Sequence, residues 1–172
     1  MKKFILACFA ISTIIACSPK TETASTFAVP EDVNSYNLDS SANIDLVKKM
    51  ITAFEAGDSV TYRSCYADSA IFHDNGTDMT LDQNVVLFNY FKSNGVSVKM
   101  EKVDPIWEIV NKEASPNGVT NFVMSFQHTI YKKGDKEVKV IVSVVNGIKD
   151  GKIVEEWDLY NTKPMLDLMN QK

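Results

Sequence analysis

The sequence predicts an α+β fold, with helices packed on one face of a curved sheet. Two observations carry that prediction. Between about Ile44 and Ser93 the apolar residues recur at helical spacing and are bracketed by capping residues. From Val96 onward the pattern changes to extended runs separated by Asn117-Gly118, Lys133-Gly134-Asp135 and Asp150-Gly151, the chemistry of hairpin turns.

The chain opens Met-Lys-Lys, followed by an apolar run from Phe4 to Ile15 and then Ala16-Cys17. Two lysines, a short apolar stretch and a closing small residue have the layout of a secretory signal, and the run is too short for a comfortable membrane span. A cysteine directly after the small residue gives the segment the end of a bacterial lipobox. That implies cleavage before Cys17 and lipidation of its thiol. Residues 1–16 are read as a lipoprotein signal peptide, and residues 17–39 as the lipidated cysteine and a polar, flexible tether. The lipid on Cys17 would hold the protein at a membrane of the bacterial cell envelope, with its domain in the periplasm or on the surface. Ser18 favours the outer membrane.

Residues 40–172 are read as one domain. Ile44, Val47, Ile51 and Phe54 fall at helical spacing, with Asp39, Ser40 or Ser41 to cap the start and Gly57 to end the helix in a left-handed conformation. Asp58 or Ser59 caps a second short helix, expected to run through Tyr66. Ala70 to His73 is a short strand. Thr80 and Gln83 have capping-box spacing, and Leu81, Val85, Phe88 and Phe91 continue that third helix to Asn94-Gly95. Four long antiparallel strands follow at about 96–113, 119–132, 136–149 and 152–161. Pro105 has no N–H for a ladder, so it calls for an edge or a bulge.

Charge and cysteine usage narrow the function classes. Removing residues 1–16 takes away Lys2 and Lys3, so 18 basic against 22 acidic residues become 16 against 22, a net charge of about −6. All basic residues but Arg63 are lysines and they do not cluster, so nucleic acid is not an expected partner. With Cys8 in the signal and Cys17 lipidated, Cys65 stands alone, read as a buried cysteine packing as a small hydrophobe, with a reactive thiol as the alternative. One cysteine and two histidines give no ligand spacing, so no metal and no cofactor is expected.

Three runs resemble a known superfamily: Ala53-Phe-Glu-Ala-Gly-Asp58, Tyr66-Ala-Asp-Ser-Ala-Ile-Phe-His-Asp74 and Asp150-Gly-Lys-Ile-Val-Glu-Glu-Trp-Asp-Leu-Tyr160. In this order they are similar to the nuclear-transport-factor-2-like superfamily, and most to its SnoaL-like branch, over residues 43–161. The resemblance implies a cone-shaped curved antiparallel sheet packed with three N-terminal helices around a cavity, and dimerisation through the sheet. It implies a pocket that hosts isomerases, dehydratases and cyclases in some members and no known catalysis in others, so the fold alone does not decide function.

The resemblance places Asp74 where related steroid isomerases keep a catalytic carboxylate, which burial in an apolar cavity would tune toward neutral pH. The alternative for Asp74 is turn chemistry, since Asp-Asn-Gly-Thr needs no active site. Tyr66 matches a pocket tyrosine that would donate to Asp74 or to a ligand; otherwise it is a helix-face core aromatic. In the last strand Glu156, Asp158 and Tyr160 alternate with Glu155, Trp157 and Leu159, and the alignment turns the first trio to the cavity. Period 2 leaves the opposite arrangement open, with Trp157 and Leu159 on the core.

Phe122, Met124, Phe126 and His128 share one face of the strand at 119–132. They are read, with Trp107, as candidate pocket walls, with His128 as a general base or a structural histidine at the mouth. Two departures from the isomerase pattern disfavour steroid isomerisation. Met50 stands near the oxyanion-tyrosine position, and no acid occurs in Val142–Val144. Three readings follow: a pocket that binds a small, largely apolar ligand; a general acid/base isomerase, dehydratase or cyclase with Asp74 as base and Tyr66 or His128 as donor; and a non-catalytic homodimeric module whose cavity is filled by Phe122, Phe126 and Trp107.

Overall fold

A computed structural model describes residues 34–170. The expected signal peptide, the lipidation site at Cys17 and most of the expected tether lie outside the described residues. The elements run β1 (Ser35–Leu38), α1 (Ala42–Ala56), α2 (Ser59–Ser64), β2 (Tyr66–Asp74), β3 (Thr77–Thr80), α3 (Leu81–Ser93), β4 (Val96–Asn111), β5 (Asn121–Lys133), β6 (Lys136–Lys149), β7 (Lys152–Leu159) and α4 (Lys163–Met169).

The α+β class and the curved sheet agree with the sequence. One sheet has the strand order β1-β4-β5-β6-β7-β2-β3. It is mixed rather than wholly antiparallel, because β2 lies parallel to β7. No hairpin joins those two strands, so no tight turn forces them to run in opposite directions.

The helices form where local chemistry starts and stops them. The Ser41 side chain accepts from the Ile44 N–H, and Gly57, at φ 68°, closes α1 in the left-handed region. Asp58 caps α2. Thr80 and Gln83 form the reciprocal capping box at the start of α3. Ile44, Val47, Met50 and Ile51 from α1 pack on Phe72, Val123, Ile148 and Ile153 of the sheet. Each fully buried side chain of this kind contributes roughly 1.5–3 kcal/mol.

Several expectations change. The second helix ends at Ser64, so Tyr66 opens β2 as a buried strand residue rather than lying on a helix face. Asp74-Asn-Gly-Thr forms the turn that joins β2 to the short β3, as its turn chemistry implied. The segment read as tether gives up its last residues to β1, which pairs with Glu108–Asn111 of β4. Pro105 sits at a bulge, where the β4·β5 register shifts between Val103 and Ile106. The C-terminal α4 was not anticipated; it packs Met165 and Leu168 beneath β5 and β6.

Candidate functional site

The helices and the concave side of the sheet enclose a cavity of about 100 Å³. Its apolar lining comes from Met50 and Phe54 of α1, Leu87, Phe88 and Phe91 of α3, Met100 of β4, Val142 and Val144 of β6, and Met165 of α4. Asp74, Glu156, Asp158 and Tyr160 line the same cavity. The sheet register explains their convergence. Asp74 is the partner of Asp158, and Phe72 of Glu156, across the parallel β2·β7 pair.

A bulge decides which way β7 faces. Ile148 pairs with Ile153, but Asn146 pairs with Glu156, so β7 holds one more residue than β6 between those pairs. The extra residue lets both Ile153 and Glu156 face inward. Glu156, Asp158 and Tyr160 therefore face the cavity, and Trp157 and Leu159 the convex side.

Glu156 is 4% exposed and accepts from the Tyr66 hydroxyl at 2.8 Å and from the Asn146 side-chain amide. Burial pushes its carboxyl up to about 7, against the opposing pull of those donors and of a hydrogen bond with Asp158. Asp158 keeps some area toward the open cavity but is otherwise enclosed. Its carboxyl is held far above the usual range by desolvation, then by the charges of Glu156 and Asp74 and the hydrogen bond to Glu156. Both carboxyls of the pair are thus raised by burial, and they face each other across a hydrogen bond. Two neighbouring carboxyls with shifted affinities are a unit able to take and return a proton.

Asp74 sits at the other end of the acidic wall, where it accepts from the Tyr160 hydroxyl at 3.2 Å and from the Asn75 amide at 3.1 Å. Burial, then the charge of Asp74, raises the Tyr160 phenol, so it stays protonated. Tyr131, also lining the cavity, is raised chiefly by burial.

The remaining expected site residues fall elsewhere. Tyr66 bonds Glu156 and Tyr62, not Asp74. On β5 the inward face is Val123, Ser125, Gln127, Thr129 and Tyr131, of which Gln127, Thr129 and Tyr131 line the cavity. Phe122, Met124, Phe126 and His128 alternate with these and lie on the convex side. Trp107 pairs with Met124 and shares that side, its ring 6.4 Å from Phe126. None of the five lines the cavity, and Phe122, Phe126 and Trp107 do not fill it. The inner face of β5 is the more polar one, so hydropathy pointed the wrong way. Tyr62, Asn84, Gln127 and Asn146 were missed; only the position of Asn146, facing Glu156 across the β6–β7 hairpin, left a usable trace in the sequence.

Cys65 is buried, and desolvation raises its thiol, consistent with packing rather than reactivity. Among the described residues no helix is long and apolar enough to cross a membrane.

No protein-family model matches the chain, and no curated protein matches it in sequence. Solved structures do. An LEH-like epoxide hydrolase from M. tuberculosis superposes with a TM-score of 0.57 at 17% identity, covering 74% of this chain and 89% of that one. A candidate SnoaL-like polyketide cyclase from Shewanella denitrificans gives 0.56 at 14% identity, covering 77% and 100%. A candidate polyketide cyclase from Pseudomonas putida gives 0.55 at 13% identity, covering 75% and 98%. At these identities the likeness is one of fold.

Proposed function

We propose that this chain, which carries the nuclear-transport-factor-2-like fold, is a pocket protein that binds a small, largely apolar ligand in its cavity. One observation carries the reading: Asp74, Glu156, Asp158 and Tyr160 are gathered on one wall of a cavity whose other walls are mainly apolar. That is the composition of a small-molecule site, an apolar body with a few convergent polar groups. The named neighbours of the same fold support a pocket put to use on small molecules. A volume of about 100 Å³ suits a molecule no larger than a small ring.

Saturation-transfer NMR with cyclohexanol, a ring with one hydroxyl, tests this. Transfer is expected to the wild type and to Asp74→Asn, and to be lost in Val144→Phe, with circular dichroism confirming its fold. Undiminished transfer in folded Val144→Phe would place the binding elsewhere and overturn the reading.

The proposal includes the envelope location and a homodimer. The signal-like segment and Cys17 support lipid anchoring; unchanged membrane association and mature mass in Cys17→Ala would refute it. The convex face supports self-association, since it carries Trp107, Phe122, Phe126 and Trp157 beside Ile141 and Leu159, which are 55% and 61% exposed.

A second reading, general acid/base catalysis of the isomerase, dehydratase or cyclase kind, is favoured by the two neighbouring carboxyls of Glu156 and Asp158, both raised by burial at the cavity wall. In it Asp74 and Asp158 face the substrate directly, Tyr66 acts only through Glu156, and His128 has no part. Turnover that collapses in Asp74→Asn would favour this reading over simple binding.

A further inference from the structure

A line of hydrogen-bonding groups runs from Glu156 across the molecule to α3. The Tyr66 hydroxyl lies 2.8 Å from Glu156 Oε2, 3.1 Å separates the Tyr66 and Tyr62 hydroxyls, and the Tyr62 hydroxyl lies 2.9 Å from the Asn84 side-chain amide. Both rings are buried and tilt against each other with centroids 5.0 Å apart. Glu156, Tyr62 and Asn84 line the cavity; Tyr66 stands behind its wall.

The proton inventory restricts how this line can be wired. Each phenol owns one hydrogen and donates once. With Glu156 ionised, Tyr66 donates to Glu156, Tyr62 donates to Tyr66, and Asn84 meets Tyr62 with its amide N–H. With a proton on Glu156 that is donated to Tyr66, every bond reverses: Tyr66 donates to Tyr62, and Tyr62 to the Asn84 carbonyl. A half-turn of the Asn84 amide exchanges its oxygen and nitrogen, so both arrangements fit the same heavy-atom positions.

We propose that Tyr66 and Tyr62 are positioning residues of a hydroxyl relay that carries the protonation state of Glu156 to Asn84. The cavity then offers a carbonyl oxygen at Asn84 in one state and an N–H donor in the other. The consequence for ligand choice rests on the pocket reading: the ionised state suits a ligand hydroxyl or N–H, the protonated state a ligand carbonyl.

The surroundings suit a relay. Facing Glu156 are Asp158 on its own strand, Asp74 and Tyr66 on β2, Tyr62 on α2 with Cys65 at its end, Tyr131 on β5 and Tyr160 after β7. The cavity linings from α1, α3, α4, β4 and β6 contain no titratable group. Burial and the charge of Glu156 raise both relay phenols far above neutral, so they pass hydrogen bonds along without ionising. Glu156 itself changes state near neutral pH.

A pH titration followed by NMR tests the relay without any ligand, so its failure and that of the pocket reading are distinguishable. The full chain is labelled at the tyrosine ζ-carbons, the asparagine side-chain amides and the glutamate carboxyls. Tyr66, Tyr62 and Asn84 are expected to shift through the same midpoint as Glu156. In Tyr66→Phe, Glu156 should still titrate while the responses of Tyr62 and Asn84 fall several-fold. An Asn84 signal flat across the Glu156 midpoint in the wild type, or one that follows Glu156 undiminished in Tyr66→Phe, would overturn the relay.

Discussion

Tyr66 and Glu156, 90 residues apart in the chain, meet at 2.8 Å in the buried interior. The parallel pairing of β2 with β7 brings them together, and the irregular register between Tyr66 and Ile71 lets the phenol reach across. Around this contact the molecule holds a carboxyl that burial disfavours and that three hydrogen bonds make tolerable.

Stability is expected to depend on pH in a direction unusual for a carboxylate. Glu156 is raised from an ordinary 4.5 to about 7, so between those values the folded state binds more protons than the unfolded one. Unfolding free energy therefore falls as pH rises through that window, by on the order of 3 kcal/mol, and the raised carboxyl of Asp158 adds to the fall in the same direction. Urea melts at pH 5 and pH 8 check this, and Glu156→Gln is expected to remove most of the difference.

Asn146 is fully buried and gives its side-chain amide to Glu156. Asn146→Leu removes a donor to the ionised form, so the Glu156 midpoint is expected to rise by about one to two pH units. Carboxyl NMR of the variant reads the shift directly.

The charge of Asp74 raises both Glu156 and Asp158. Asp74→Asn should lower the Glu156 midpoint by on the order of one pH unit. Its amide oxygen can still accept from Tyr160, so thermal melting is expected to change little at neutral pH.

The convex face is expected to hold two copies together. Sedimentation should find the full chain as a dimer in mild detergent, and Ile141→Lys with Phe126→Lys should leave a monomer with unchanged circular dichroism. A monomeric wild type would remove the dimer from the account.

The ends of α1 and the start of α3 were legible because they rest on local chemistry: Ser41, Gly57 and the Thr80–Gln83 box act within a few residues. The turns at Lys133-Gly134-Asp135 and Asp150-Gly151 marked the ends of the long strands for the same reason. Which strand face turns inward was harder, because period 2 fixes two faces without choosing between them. On β7 the resemblance chose correctly, and the bulge between Ile153 and Glu156 is the physical cause. On β5 the choice went to the apolar set, whereas Ser125, Gln127 and Thr129 face inward and Phe122, Met124 and Phe126 outward. Elements of four and seven residues, β3 and α4, carry too little pattern to be read alone, although Pro164 in the first turn of α4 was a usable signal.

The most direct test of the central claim, a cavity wall on which burial raises two neighbouring carboxyls above the ordinary range, is carboxyl-carbon NMR of Glu156 and Asp158 from pH 3 to 9. The account predicts a Glu156 midpoint near 7, with Asp158 still protonated where surface aspartates have ionised. Midpoints of both groups between about 3.5 and 4.5, the range of ordinary carboxyls, would contradict it.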